Sequence, residues 1–403
     1  MIVVVEQVSQ SSVHLSVAIL STIIPGVIFG LFAGVVVDRS NKKKVLVIAN
    51  FLRAPVVFGY LLYTHSLYAV YAINFAFVGI SQFFGPAESS TIPSFVGKRQ
   101  LVAANSLFNL TFTISQLAGI VFLAPGVIKL AGAPTLFIIL GCIYVVAGAL
   151  TSLLPAGERP ERALSSLKGR MLLRIVGADL ADALRFINRD RQTLWSMIFV
   201  TMSSTLMLIL AMLAPRYVVV EVGIQPEDAV FMVAPAGLGI LAMTLVLTRL
   251  ARRYGELRLA YVGGITMGIA VGMMAVLPNL RDQALAILPP TLITTLALQG
   301  QHALVPPLML VSAFIGIGVA MTNIPSQSVL MDRAPVDSRG RIFAVLLMLG
   351  NVAAILPLTF LGVLADTYGL PAIAGVVGGA ILVITLLAIQ EGVATSPLRP
   401  RSR

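Results

Sequence analysis

An all-α membrane protein built from two pseudo-symmetric helical bundles is the fold class this sequence predicts, and three observations predict it. Of the 403 residues, 58% are hydrophobic and 11% charged, with mean hydropathy +0.95, whereas a soluble domain carries about 25% charged residues. Apolar segments of about 20 residues, the length that crosses a bilayer core, recur from end to end. One long charged stretch, 156–191, interrupts them near the middle.

The apolar segments run over 12–37, 45–63, 67–86, 102–126, 133–154, 193–215, 229–248, 259–278, 306–328, 342–364 and 370–390. These are eleven spans, an odd number. If the loop at 38–44 is cytoplasmic, alternation makes 87–101, 155–191, 249–258, 329–341 and the tail after 390 cytoplasmic too. Those places hold 24 of the 28 Lys and Arg residues, the asymmetry that orients helices in a cell membrane. The N-terminus is therefore expected outside and the C-terminus inside. The net charge of +11 follows the membrane in this way and gives no case for nucleic acid. Tyr60, Tyr63, Tyr68 and Tyr71 around the outer turn at His65, and Trp195 at the start of its span, read as interfacial aromatics. Cys142, the single cysteine, sits in an apolar span and reads as a small buried residue.

The predicted domains are a first bundle over 1–155, a cytoplasmic linker over 156–191, a second bundle over 192–391 and a basic tail over 392–403. Pro155 and Pro160 open the linker, and its amphipathic stretch, Leu172 to Phe186, is expected along the membrane surface. The second bundle carries a faint copy of the 34–44 loop: Thr244 to Arg253 matches its spacing, with Thr244 and Thr248 where the first has Gly34 and Asp38. Repeated halves are a common plan of secondary transporters.

The loop itself, Gly34-Val-Val-Val-Asp38-Arg39-Ser-Asn-Lys42-Lys43-Lys44, is the most informative stretch. A glycine that lets helices approach, a carboxylate and a cluster of cations read as a cytoplasmic gate. It resembles the signature loop between helices 2 and 3 of the major facilitator superfamily. With Phe84-Gly85-Pro86-Ala87, Ile92-Pro93, Ala103 to Leu107, Leu184-Arg185-Phe186 and Arg339-Gly340-Arg341, the chain is similar to the branch that includes macrolide-efflux and enterobactin-export proteins. The resemblance implies a twelve-helix, two-bundle carrier working by alternating access, exporting amphipathic small molecules in exchange for protons, so that eleven spans are one short of its plan. Its expected partners are small-molecule cargo, protons and the lipid bilayer; it would act as a monomer, without a cofactor and without catalysing a reaction. Where antiporters of the family have a Gly-Pro-rich motif in helix 5, this chain has Gln116-Leu-Ala-Gly119-Ile-Val-Phe-Leu-Ala-Pro125-Gly126.

Ionisable groups inside a bilayer are rare and point to function, since each costs about 2.5–3.5 kcal/mol on insertion scales. Arg53 lies nine residues past Lys44, about 13 Å deep at 1.5 Å per residue; it serves the gate or cavity, or snorkels to the headgroups. Glu88 is the coupling candidate, its alternative being an interfacial contact to Lys98 or Arg99. Asn105, Asn109 and Gln116 share one helix face, a stripe that either lines the cavity between the bundles or bonds between helices at about 0.6 kcal/mol per contact. Asn74, Gln82 and Asn351 are further cavity candidates. Asp38 is expected to approach the N-terminus of the helix starting near 337–341, where the dipole favours an anion by about 0.3–2 kcal/mol.

Other chemistry has little footing. Gly237-Leu-Gly239-Ile-Leu-Ala242 mimics a dinucleotide fingerprint without the preceding strand, so helix packing explains it better. His14, His65 and His302 lack metal-ligand spacing, and there is no P-loop. The competing classes are an uptake symporter or uniporter of the same fold and a non-transporting derivative. Eleven spans and the segment Met1 to Gln10, which reads as the outer end of a helix and its turn, lead to the expectation of a first helix upstream.

Overall fold

The computed structural model describes residues 2–9, 11–63, 66–95, 107–108, 111, 114–115, 118–155, 177–178, 181, 184–187, 191–223, 229–280, 304–333 and 339–391. No strand occurs among them. The helices are α1 (Ile2–Ser9), α2 (Ser12–Asp38), α3 (Lys42–Tyr63), α4 (Leu67–Phe95), α5 (Ala124–Ser152), α6 (Arg191–Tyr217), α7 (Ala229–Tyr254), α8 (Glu256–Val276), α9 (Val305–Arg333), α10 (Arg339–Tyr368) and α11 (Leu370–Gln390). Nine helices among the described residues are long and apolar enough to cross a bilayer. The expected span at 102–126 is described only in part, at 107–108, 111, 114–115 and 118–126. The one expected at 229–248 contributes a shorter apolar helical stretch, Ala234–Leu247.

The chain forms two compact units, Met1–Leu180 and Ala181–Arg403. In the first, α2 packs on α4, and α3 packs on both α4 and α5. Lipid tails are as apolar as leucine, so contact between spans depends on close van der Waals fit, which small residues permit. Phe58 and Phe51 of α3 accordingly lie against Gly141 and Gly148 of α5, seven residues apart on one face. Cys142, about 100° round that helix from Gly141, is therefore exposed, correcting the buried position expected of it. On α2 the close approach expected at Gly34 is made instead at Gly26 and Gly30, against the Gln82 amide; a Cβ on Gly34 would meet nothing within 4 Å.

In the second unit α8 is central, packing on α9 and α11, while α9 also packs on α7 and α6. Gly263 and Gly318 bring α8 and α9 together, Gly268 and Gly378 bring α8 to α11, and Gly239 and Gly316 let α7 and α9 touch backbone to backbone. The dinucleotide-like motif thus serves helix packing through Gly239. Single residues with positive φ, Gly255 (87°) and Gly369 (85°), turn α7 into α8 and α10 into α11; a side chain there would strain the backbone.

Several expected surface residues are interior. Tyr60 is stacked on Phe137 with ring centroids 4.7 Å apart and is buried. Trp195 is buried between α6 and the end of α11, donating from Nε1 to Glu391 Oε2 at 3.3 Å. Phe186 and Ile187, at the end of the linker, join Met197, Val200 and Leu330 in a core cluster. These two residues are thus buried in the second unit and do not lie along a membrane surface.

Candidate functional site

The signature loop is built from local capping. Arg39 N–H donates to Val36 O (3.3 Å) and Ser40 N–H to Val37 O (3.0 Å), closing α2. Asn41 then caps α3, its Oδ1 accepting Lys44 N–H at 3.1 Å. Three lysines in the first turn oppose the dipole of α3. Two of them reach other helix ends instead: Lys42 Nζ donates to Ser90 O near the end of α4 (3.3 Å), and Lys43 Nζ to Leu154 O just after α5 (2.6 Å). Cations at those carbonyl ends are favourable, so the loop ties three helix ends on one side of the first unit. Arg39 is partly buried and Asp38 is the last residue of α2. The side chains of Asp38, Arg339 and Arg341 lie outside what the structure describes, and Gly340 is placed only as a residue of the first turn of α10.

Arg53 occupies the middle of the first unit and is 7% exposed, so it does not snorkel. Its guanidinium carbon lies 4.3 Å from the Phe84 ring centroid, 5.6 Å from Tyr144 and 5.9 Å from Phe77. Phe77 and Phe84 stand seven residues apart on one face of α4, and Tyr144 comes from α5. Ring faces attract a desolvated cation by about 2 kcal/mol or more. Nε has no hydrogen-bond partner among the described residues. Glu88, one turn beyond Phe84 and partly buried, interacts electrostatically with Arg53. Two candidates that the sequence presents separately are thereby brought into one cluster; Lys98 and Arg99 lie outside the described residues.

Asn74 and Gln82 belong to the α2–α4 interface. Asn74 Nδ2 donates to Ser21 Oγ (2.8 Å) and Thr22 Oγ1 (2.9 Å), leaving no amide proton for cargo. Asn351 is exposed on α10. Asn105, Asn109 and Gln116 lie outside the described residues. His14 is held by Tyr71, whose hydroxyl is 3.0 Å from Nδ1.

Sequence reasoning missed three features of the second unit. Gln327 Nε2 donates to Asn323 Oδ1 (2.7 Å), and Asn323 Nδ2 donates to Ser203 Oγ (2.8 Å), a polar ladder between α9 and α6. The i, i+4 spacing of Asn323 and Gln327 inside an apolar span is the signal that would have found it. Arg216, near the end of α6, pairs with Asp366 at 3.5 Å, linking α6 and α10. Between α6, α10 and α11 lies an open cavity of about 680 Å³, within the roughly 300–1,000 Å³ range of small-molecule sites. Of its lining only Thr201 and Thr205 are polar.

Comparison with known proteins agrees with this architecture. Residues 2–303 match the Major Facilitator Superfamily. The chain is 20% identical over 389 residues to the uncharacterized MFS-type transporter YfiS of Bacillus subtilis (strain 168), covering 95% of this chain and 85% of that one. It is 24% identical over 391 residues to the multidrug efflux pump Tap of Mycolicibacterium fortuitum, covering 90% and 83%. The fold resembles the crystal structure of a point mutant of the nucleoside transporter NupG, with TM-score 0.70, 16% identity and coverage of 96% and 93%. A family match over three quarters of the chain, apolar membrane-crossing helices and two helical units place this multi-pass membrane protein in the Major Facilitator Superfamily of transporters.

Proposed function

We propose that this chain exports amphipathic small molecules across the cell membrane by alternating access, in exchange for protons, with its C-terminus cytoplasmic. The observation that carries the reading is the similarity to an efflux pump along nearly the whole chain. An apolar cavity with two hydroxyls suits a largely apolar cargo. In this reading the cluster of Arg53 and Glu88 is the charged centre of the first unit. Glu88 carries the exchanged proton, and the Gly34–Lys44 loop with Arg339, Gly340 and Arg341 forms the cytoplasmic gate.

Proteoliposomes holding the full chain test it. An imposed proton gradient is expected to drive uphill movement of an amphipathic dye, and an uncoupler to abolish it. Glu88→Gln should lose gradient-driven movement while keeping gradient-independent exchange of labelled for unlabelled dye. Unchanged uphill transport by that variant would leave Glu88 as a partner of Arg53 only. Proton-driven movement in the same direction as the protons would refute export.

A further inference from the structure

We propose that the cavity between α6, α10 and α11 is a binding site for a neutral amphipathic molecule with a hydrogen-bond acceptor, held at mid-membrane depth by the Thr205 and Thr201 hydroxyls. The inference rests on the export reading only in naming the occupant as cargo. The threonines supply the first argument. Thr244, Thr266, Thr322, Thr359, Thr367 and Thr385 each donate to the carbonyl four residues back, at 2.7–2.9 Å. Thr201 and Thr205 make no hydrogen bond among the described residues, although Thr205 is only 9% exposed. Neither hydroxyl is among the enclosed, unpartnered atoms of the protein interior, so each keeps an O–H donor open to a ligand. Both of these face the cavity, where an acceptor on a ligand satisfies them.

Charge complementarity supplies the second. No Asp, Glu, Lys or Arg lines the cavity. The charges at the two ends of α6 are already paired, Arg216 with Asp366 and Arg191 with Glu391 at 3.2 Å. Thr201 and Thr205 stand ten or eleven residues from those ends, about 15 Å at 1.5 Å per residue, which is half of the roughly 30 Å hydrocarbon core. A cation placed there would be desolvated without a partner. A neutral molecule bears no such cost. Sites of secondary carriers lie near that depth.

Photolabelling of the full chain in phosphatidylcholine–phosphatidylglycerol nanodiscs tests the site without requiring transport. The probe is 4-hexylbenzophenone, a neutral diaryl ketone; its 4-trimethylammonium analogue is the cationic comparison. Peptide mapping is expected to place saturable label from the neutral probe on Met197, Met202 and their neighbours, with the cation labelling at least about tenfold less. The isosteric double variant Thr201→Val, Thr205→Val should lower cavity labelling about three- to tenfold, the value of one or two hydrogen bonds, and Ala353→Trp should block it. Label that does not saturate and falls equally on outward residues such as Leu245, Leu310 and Leu386 would identify a bilayer solute and overturn the site. Equal labelling by the cation, or labelling indifferent to the threonines in a folded protein, would also overturn it. Saturable cavity labelling in a chain that moves no dye would sink the export reading and keep the site; transport without that labelling would do the reverse.

Discussion

Arg53→Met is expected to reduce transport by about tenfold or more while leaving most of the protein folded. Methionine keeps an apolar stem of similar length but removes the cation that Phe84, Tyr144 and Phe77 surround and that Glu88 faces. A desolvated cation–π contact is worth about 2 kcal/mol, about thirtyfold as an equilibrium constant. Any conformational step that draws on it therefore shifts by at least an order of magnitude. Arg53→Lys keeps the charge without the flat guanidinium and should retain an intermediate rate, since the two cations stack differently on rings. Initial rates in proteoliposomes, with a thermal midpoint recorded on the same samples, decide the matter. A midpoint that falls while the rate per folded molecule is unchanged would make the cluster a packing device.

Gly316→Ala is expected to be the most damaging single methyl group in the second unit. Its Cβ would overlap the Ala236 carbonyl oxygen, and both atoms belong to packed backbones that no rotamer change relieves. Overpacking costs about 1–3 kcal/mol when side chains can adjust, and here the helices α7 and α9 must separate. The neighbouring control is Gly237→Ala, where nothing lies within 4 Å of the new methyl and the change should stay within about 0.5 kcal/mol. Size-exclusion profile and thermal midpoint of the two variants measure the contrast. Equal behaviour of the two would show that α7 and α9 do not pack as described.

Glycine contacts of this kind mark the boundary of what could be read in advance. The motif around Gly237 and Gly239 could be assigned to helix packing from its apolar context alone. Which of the two glycines does the packing depends on the crossing point of α7 and α9, and that is a property of three dimensions. The same holds for Gly34, which carries the family resemblance yet makes no close contact among the described residues, while Gly26 and Gly30 take up the Gln82 side chain.

The candidate site divides similarly. Arg53 and Glu88 stand out in the sequence because charge in an apolar span is expensive. Their joining follows from the packing of α3 on α4, which places Arg53 opposite the face that carries Phe77, Phe84 and, one turn on, Glu88. Asn74 looks like a cavity residue by polarity and becomes an interhelical clasp once Ser21 and Thr22 are beside it. Asn323 and Gln327 were within reach of the same spacing argument as Asn105 and Asn109. The cavity was not, because its lining converges from α6, α10 and α11 and few polar residues mark it.

The sequence by itself determined the membrane-crossing helical class, the resemblance to the superfamily and the residues whose charge is out of place in lipid. Those follow from additive, local quantities: transfer free energy along a segment, loop charge and motif spacing. Only the tertiary structure decided which glycines bring helices together, that Arg53 is enclosed by three rings, and that an apolar hollow remains beside Thr201 and Thr205. In lipid the hydrophobic effect does not choose helix partners, so close packing and the satisfaction of a few polar groups make that choice, and both depend on residues far apart in the chain.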